Sequence, residues 1–404
     1  MQQSLYSILL VVFLSGIYVS CNEIQSKPIE PEKIEPFISD SITQFLKDFD
    51  QEFEREFRRQ GIPGGAVVVV KGSRIIYQNG FGVKERGTQD SVDINTVFRL
   101  GSVSKGFASV LAGTAVDKDF IDWEDPVTTH LPDFGLNDPD QTERTQVRHL
   151  LSHTTGLPRH AYTNLVEDGL SLNRIIPRLK DVELISEEGV QFSYQNAAYA
   201  VIEKVLESKY DTTFSGLLYQ ELFEPIGMTQ SSSTRNELRE NENKALPHLY
   251  HSRRRGLVPV PITRKYYNAI SAGGINASIS DMGKWLLLLT GNNPEVISDE
   301  ALDYIFEPVV TIGNRRFSRY WEGVNESHYG MGWRILDNDG QKIIYHGGYV
   351  NGFRSEIAFD RENQLGICIL FNSSNSYALR AIPKFFEGFK NADTTYTLNP
   401  LPSN

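Results

Sequence analysis

Apolar residues recur at Ile42, Phe45, Leu46, Phe49, Phe53 and Phe57 in an otherwise charged segment. That three-and-four spacing puts one greasy stripe on a helix. The period then changes: "GGAVVVV" and "RIIYQNGFG" are β-rich runs separated by "KGS", which predicts a hairpin. From Ser102 to about Trp285 the spacing is mainly helical, interrupted by loops rich in Pro, Asn and Gly. Strand patterns return near the C-terminus. "YGMGWRIL", "KIIYHGG", "FRSEIAFD" and "LGICILFN" are short alternating or apolar runs divided by turn sequences such as "DNDG" and "DREN". Strands at both ends with helices between them predict an α+β fold. One antiparallel sheet forms from both chain ends, flanked by helices, with a mainly helical subdomain inserted in the middle.

The N-terminus reads differently. "LYSILLVVFLSGIYVSC", Leu5 to Cys21, is too short for a comfortable membrane span but fits the apolar region of a signal peptide. Residues 1–20 are therefore expected to be a leader directing export to the periplasm or cell surface. The terminal "YVSC" resembles a bacterial lipobox, which implies lipidation of Cys21 and membrane attachment through that lipid. Against this, the first residues lack Lys and Arg, and Tyr18 stands where lipoboxes usually have Leu. Simple secretion and an uncleaved anchor stay open. Residues 21–37, with three prolines, read as a lipidated tether, 38–390 as the folded domain and 391–404 as a C-terminal tail. With Cys21 lipidated no disulfide can form, and the other cysteine, Cys368, reads as a buried strand residue.

A formal net charge of -11 argues against a phosphate-backbone partner, since nucleic-acid binders need clustered cations. The one basic run, "SRRRG" at 252–256, reads as a solvated loop.

Candidate chemistry begins at "FRLGSVSKGFASV", where Ser102 precedes Lys105 by three residues at an expected helix start. A serine hydroxyl needs a base within reach to act as a nucleophile, and positions i and i+3 share a helix face. A helix N-terminus also favours developing negative charge. Alone the pair is weak, because a Ser-x-x-Lys arises about once by chance in a chain this long. Two further clusters could join it. "FSYQNAAY" carries Tyr194 and Asn196 before an amphipathic helix, and "IIYHGGYVNGF" sets His346, Gly347 and Gly348 at a strand end. Read separately, the first is a capping loop with a packed tyrosine and the second a strand-terminal turn.

Taken together, Ser-x-x-Lys, Tyr-x-Asn and His-x-Gly resemble the three motifs of the serine β-lactamase and penicillin-binding protein superfamily. "RHLLSHTTGLP", "SAGGINASISDMGKW" and "YGMGW" extend the resemblance to its class C branch, from about Phe45 to Phe386. The resemblance implies an acyl-enzyme on Ser102, with Lys105 helping to deprotonate it. Tyr194 would be a second base or the acid for the leaving group, and Asn196 a partner of Lys105 and of substrate. The strand at His346, Gly348 and Tyr349 would bind substrate, the backbone N–H groups of Ser102 and Tyr349 forming an oxyanion hole. No cofactor is implied. Substrate would be a β-lactam, a D-amino-acid peptide or an ester, and a non-catalytic cell-wall-peptide binder is the alternative from another class.

One position departs from the pattern. His346 stands where β-lactamases of this branch have lysine, and neutral histidine suits a hydrogen bond to a hydroxyl better than a carboxylate. Activity is then expected to fall below about pH 6 as His346 protonates. Arg354 could restore the missing charge, although an outward-facing strand arginine is the simpler reading. His149 and His153 are four apart but lack the glutamate of a metalloprotease helix, so no metal site is read there. His248 and His251 read as surface-loop residues.

Overall fold

The computed structural model describes residues 38–397; the leader, Cys21 and the tether lie outside them, as do residues 398–404. The amphipathic stripe forms helix α1 (Asp40–Arg59), which buries Ile42, Leu46, Phe49, Phe53 and Phe57. The hairpin follows as β1 (Gly64–Lys71) and β2 (Arg74–Gly82). Six further strands complete one sheet: β3 (Val310–Thr311), β4 (Val324–Tyr329), β5 (Arg334–Asn338), β6 (Gln341–Val350), β7 (Phe353–Asp360) and β8 (Leu365–Phe371).

The sheet order is β2-β1-β8-β7-β6-β5-β4-β3, and every neighbouring pair is antiparallel. The two chain ends meet where β1 pairs with β8, Val68 lying opposite Cys368. Helices cover both faces, which is why β8 buries every residue of "LGICILF" instead of alternating. On one face Phe53 packs its ring on Phe81 and Phe371, at 4.8 and 6.0 Å between centroids. The C-terminal helix, called here α4 (Ala378–Ala392), joins α1 there through Phe45 and Phe385, 5.7 Å apart. On the other face lie α2 (Ser104–Asp117) and α3 (Ile279–Leu289), with Phe107 and Trp285 stacked at 3.8 Å. The core continues from these helices into the mainly helical region between β2 and β3. The α+β reading, with a sheet drawn from both ends and helices inserted between, is the fold observed.

Three local readings change. "YGMGWRIL" is not one strand: Tyr329 ends β4, the chain turns, and Arg334 opens β5. Gly330 N donates to Trp333 O to close that turn at 2.9 Å. His248 is not a surface residue; it is fully buried in a short strand, His248–Ser252, and its Nε2 accepts from Arg86 N at 3.0 Å. The basic run forms the exposed turn that links this strand to Gly256–Pro259.

Candidate active site

The nucleophile candidate does not sit in the α-helix itself. Ser102 lies in a 3-10 turn, Gly101–Val103, that leads directly into α2. Lys105 then falls in the first turn of α2, so the two side chains share a side across a tighter turn. Two glycines let this turn meet β6. Gly101 has φ +54°, and a Cβ there would stand 2.8 Å from Tyr349 N. A Cβ on Gly348 would stand 2.0 Å from Leu100 O. Ser355, opposite Gly348 on β7, donates its hydroxyl to the same Leu100 carbonyl at 2.5 Å and fastens the contact.

The strand register decides where the Tyr349 N–H points. Asn351 and Gly352 both have positive φ, 51° and 94°, which is the two-residue hairpin turn that pairs Val350 with Phe353. Counting back from that closing pair, His346, Gly348 and Val350 direct their backbone groups at β7. Gly347 and Tyr349 direct theirs at the opposite edge. There β5 pairs only with Gln341 to Tyr345, so among the described residues the edge from His346 to Val350 carries no strand. Tyr349 N–H therefore stands at an open edge beside the Ser102 turn, where a reacting carbonyl oxygen could be received.

Lys105 is fully buried. Its Nζ donates to Asn196 Oδ1 at 2.8 Å and to Ala272 O at 2.9 Å, and lies 4.7 Å from the centre of the Tyr194 ring. Burial pushes its ammonium pKa down, and Tyr194 offsets part of that effect. For Tyr194, burial raises the phenol pKa. The charges of Lys105 and Arg334, with Lys105 and Ser102 as polar neighbours of the phenol, outweigh this and hold it below the ordinary tyrosine value. The phenol and the amine thus shift one another's titration beside the Ser102 turn. Asn196 opens the helix Asn196–Tyr199 and passes the network on, donating from Nδ2 to Tyr266 Oη at 3.2 Å.

His346 is placed differently from the sequence expectation. It is fully buried, not exposed to a bound substrate. Its Nδ1 lies 3.0 Å from Gly347 O, and because a carbonyl only accepts, Nδ1 carries the proton. Nε2 then accepts from Tyr329 Oη at 3.3 Å, so both nitrogens are engaged within the protein. Burial, with Arg334 and Lys105 nearby, holds the imidazole pKa well below its ordinary value. The neutral ring is thereby favoured, and the acid limb expected on its protonation moves to lower pH. Arg354 does not face outward as an exposed strand arginine would. It is largely buried in an ion pair with Glu356, which also accepts from Tyr345 Oη at 2.6 Å.

Two residues have a place at this site that the sequence reading did not give them. His153 sits outside the short helix that holds His149, in a left-handed backbone conformation with φ 62°. Its carbonyl accepts from Ser193 N at 2.9 Å, its Nδ1 accepts from Gln195 N at 3.2 Å, and its ring lies 4.4 Å from that of Tyr194. It grips the Tyr194 loop from both sides. His149 instead accepts from Gln146 N through Nδ1 at 3.0 Å, so the two histidines serve separate loops. The second is Arg334, whose Cζ lies 5.8 Å from the centre of the Tyr329 ring. A lone strand arginine has no spacing to mark it, although its place directly after "YGMGW" was visible.

Comparison with known proteins places this geometry among relatives. The Beta-lactamase family profile matches residues 43–385. "Unguisins hydrolase ungD'" of Aspergillus campestris is 26% identical over 342 residues, covering 82% of this chain and 62% of that protein. "Protein flp" of Staphylococcus aureus strain MRSA252 is 21% identical over 330 residues, covering 81% of this chain and 62% of that protein. The chain thus spans about 62% of the length of these curated relatives. Among solved structures, an octameric penicillin-binding protein homologue from Pyrococcus abyssi superposes with a TM-score of 0.73 at 22% identity, covering 86% of this chain and 78% of that one.

Proposed function

From the premise that this chain belongs to the Beta-lactamase family, within the serine β-lactamase and penicillin-binding protein superfamily, we propose that it cleaves an amide, lactam or ester bond through an acyl-enzyme on Ser102. The observation that carries the reading is the buried Lys105 Nζ, held by Asn196 and Ala272 and 4.7 Å from the centre of the Tyr194 ring. Ser102 Oγ attacks the substrate carbonyl while its proton passes to the Tyr194–Lys105 pair. Negative charge on the carbonyl oxygen is received by the N–H groups of Ser102 and Tyr349; one such donor is worth about 10²–10³ in rate. Collapse expels the amine or alcohol, which takes a proton back from the pair. Water then attacks the ester on Ser102 by the same route and frees the enzyme.

Within this reading a β-lactamase-like or D-amino-acid peptidase activity ranks ahead of a carboxylesterase. The leader and Cys21 would place the enzyme outside the cytoplasm on a lipid anchor, next to cell-wall peptides. The test is side-by-side turnover of nitrocefin, a D-Ala-D-Ala peptide and p-nitrophenyl butyrate by wild type and Ser102→Ala. Turnover of at least one substrate, lost in the variant, is expected. No turnover of any by folded wild-type protein would favour the non-catalytic binder.

A further inference from the structure

Three tyrosines tie into the three motifs of the site, and one histidine ring packs against all of them. Tyr194 is the phenol of the second motif itself. Tyr199 donates from Oη to the carbonyl of Lys105 at 2.7 Å, and the Tyr329 hydroxyl lies 3.3 Å from His346 Nε2. The centre of the His153 ring stands 4.4 Å from that of Tyr194, 5.2 Å from that of Tyr199 and 5.1 Å from that of Tyr329. This placement is strained. His153 is fully buried with φ 62°, a left-handed conformation that residues with a side chain seldom take. Because Nδ1 accepts from Gln195 N, the neutral ring carries its proton on Nε2, which is buried and has no hydrogen-bond partner among the described residues. An apolar side chain would fill the space without stranding a donor, so packing alone does not account for an imidazole here. Strained backbone and stranded polar groups persist where the surrounding structure uses the residue that bears them.

We propose that His153 is a positioning residue for acyl transfer, setting the Tyr194 phenol at its working place between Lys105 and the Ser102 turn. This rests on the acyl-enzyme reading above. His153 O accepts from Ser193 N at 2.9 Å and His153 Nδ1 accepts from Gln195 N at 3.2 Å, so the residues before and after Tyr194 are both tied to it. With its flanks fixed, the Tyr194 ring can turn only about its own side-chain bonds, and the imidazole packed against it restricts that turn. The same ring backs Tyr199 and Tyr329, so a shift of His153 also reaches the Lys105 carbonyl and the His346 imidazole. Lys105 from α2, Arg334 from β5 and His160 from the loop before the helix Thr163–Glu167 face both His153 and Tyr194, together with Tyr199 and Tyr329. Burial, and then the charges of Lys105, Arg334 and His160, hold the His153 imidazole pKa well below its ordinary value. That favours the neutral ring, whose Nδ1 is free to accept.

The test compares two substitutions that both remove the ring but place an acceptor differently. In His153→Asn the amide oxygen can stand where Nδ1 stood, and asparagine tolerates the left-handed backbone. In His153→Gln the oxygen lies one carbon further out, where Nε2 stood. The quantity read is the second-order rate of Ser102 labelling by a neutral fluorophosphonate, followed across pH, since this needs the base but no particular substrate. His153→Gln is expected to slow labelling at least about tenfold, because a displaced phenol is a poorer base for Ser102. The pH–rate limb of Tyr194 should also move up by at least about half a pH unit, as the phenol leaves the charges that hold it down. His153→Asn should label within about threefold of wild type with the limb in place, because the hydrogen bond from Gln195 N is kept. A thermal unfolding curve shows that each variant is folded; if His153→Gln is not, His153→Leu, which has no acceptor, carries the same expectations. A limb unmoved in the folded variant, even where labelling slows, overturns the proposal, and so does a limb moved equally in His153→Asn. Wild type that does not label at Ser102 would instead overturn the acyl-enzyme reading, and this proposal with it.

Discussion

At the scale of single residues, the chemistry turns on how a lysine and a tyrosine share a proton in a buried place. Lys105 is stripped of water, so its ammonium form is disfavoured. Tyr194 is likewise buried, yet the cations around it draw its pKa below the ordinary phenol value. The base is active when deprotonated, so kcat/KM should rise with pH and level off, with a midpoint below that of free tyrosine. Tyr194→Phe removes the hydroxyl while keeping the ring that packs against His153. It should lower kcat/KM by about 10²–10⁴ and abolish the Tyr194 limb. A pH–rate profile of the two proteins decides this; an unchanged limb in the variant would assign it to another group. Ser102, Lys105, Tyr194 and Asn196 were legible because their motifs fix both type and order. His346 was legible as a neutral group but not as a buried one, since burial depends on Tyr329 arriving from a strand seventeen residues earlier.

At the scale of elements, the site is a contact between a helix start and a strand, and two glycines make the contact close enough. Gly348→Ala would put a methyl group 2.0 Å from the backbone oxygen of Leu100 and 2.3 Å from Ser355 Oγ. Strand β6 must move off the Ser102 turn, carrying the Tyr349 N–H with it. Because an oxyanion donor acts only at hydrogen-bonding distance, kcat should fall by about 10²-fold or more. Steady-state kinetics alongside a thermal unfolding curve checks this, and near-wild-type kcat in a folded variant would contradict the placement of the donor. The sequence signalled the glycines but not their partner. Nor did it separate β4 from β5, because "YGMGWRIL" has strand composition throughout and only the Gly330–Trp333 hydrogen bond reveals the turn. Arg334 owes its position to that hidden turn, which is why it went unnoticed.

At the scale of the whole molecule, the sheet joins residues from the two ends of the folded region and holds the site at its junction with the inserted helices. Val68 opposite Cys368 and Phe53 against Phe371 tie strand and helix from one end to a strand from the other. This architecture was readable because the apolar period changes from helical to strand-like and back at the right places. What could not be read were the buried polar placements His346 and Arg354, since a strand buried on both faces leaves no alternation to show which way a side chain points. All parts of the account converge on a covalent bond at one hydroxyl. The most direct measurement is mass spectrometry of the intact protein after reaction with a fluorophosphonate or a penicillin, followed by peptide mapping. A single adduct on Ser102 is predicted, absent in Ser102→Ala. An adduct that persists in that variant, or maps to any other residue, would contradict it.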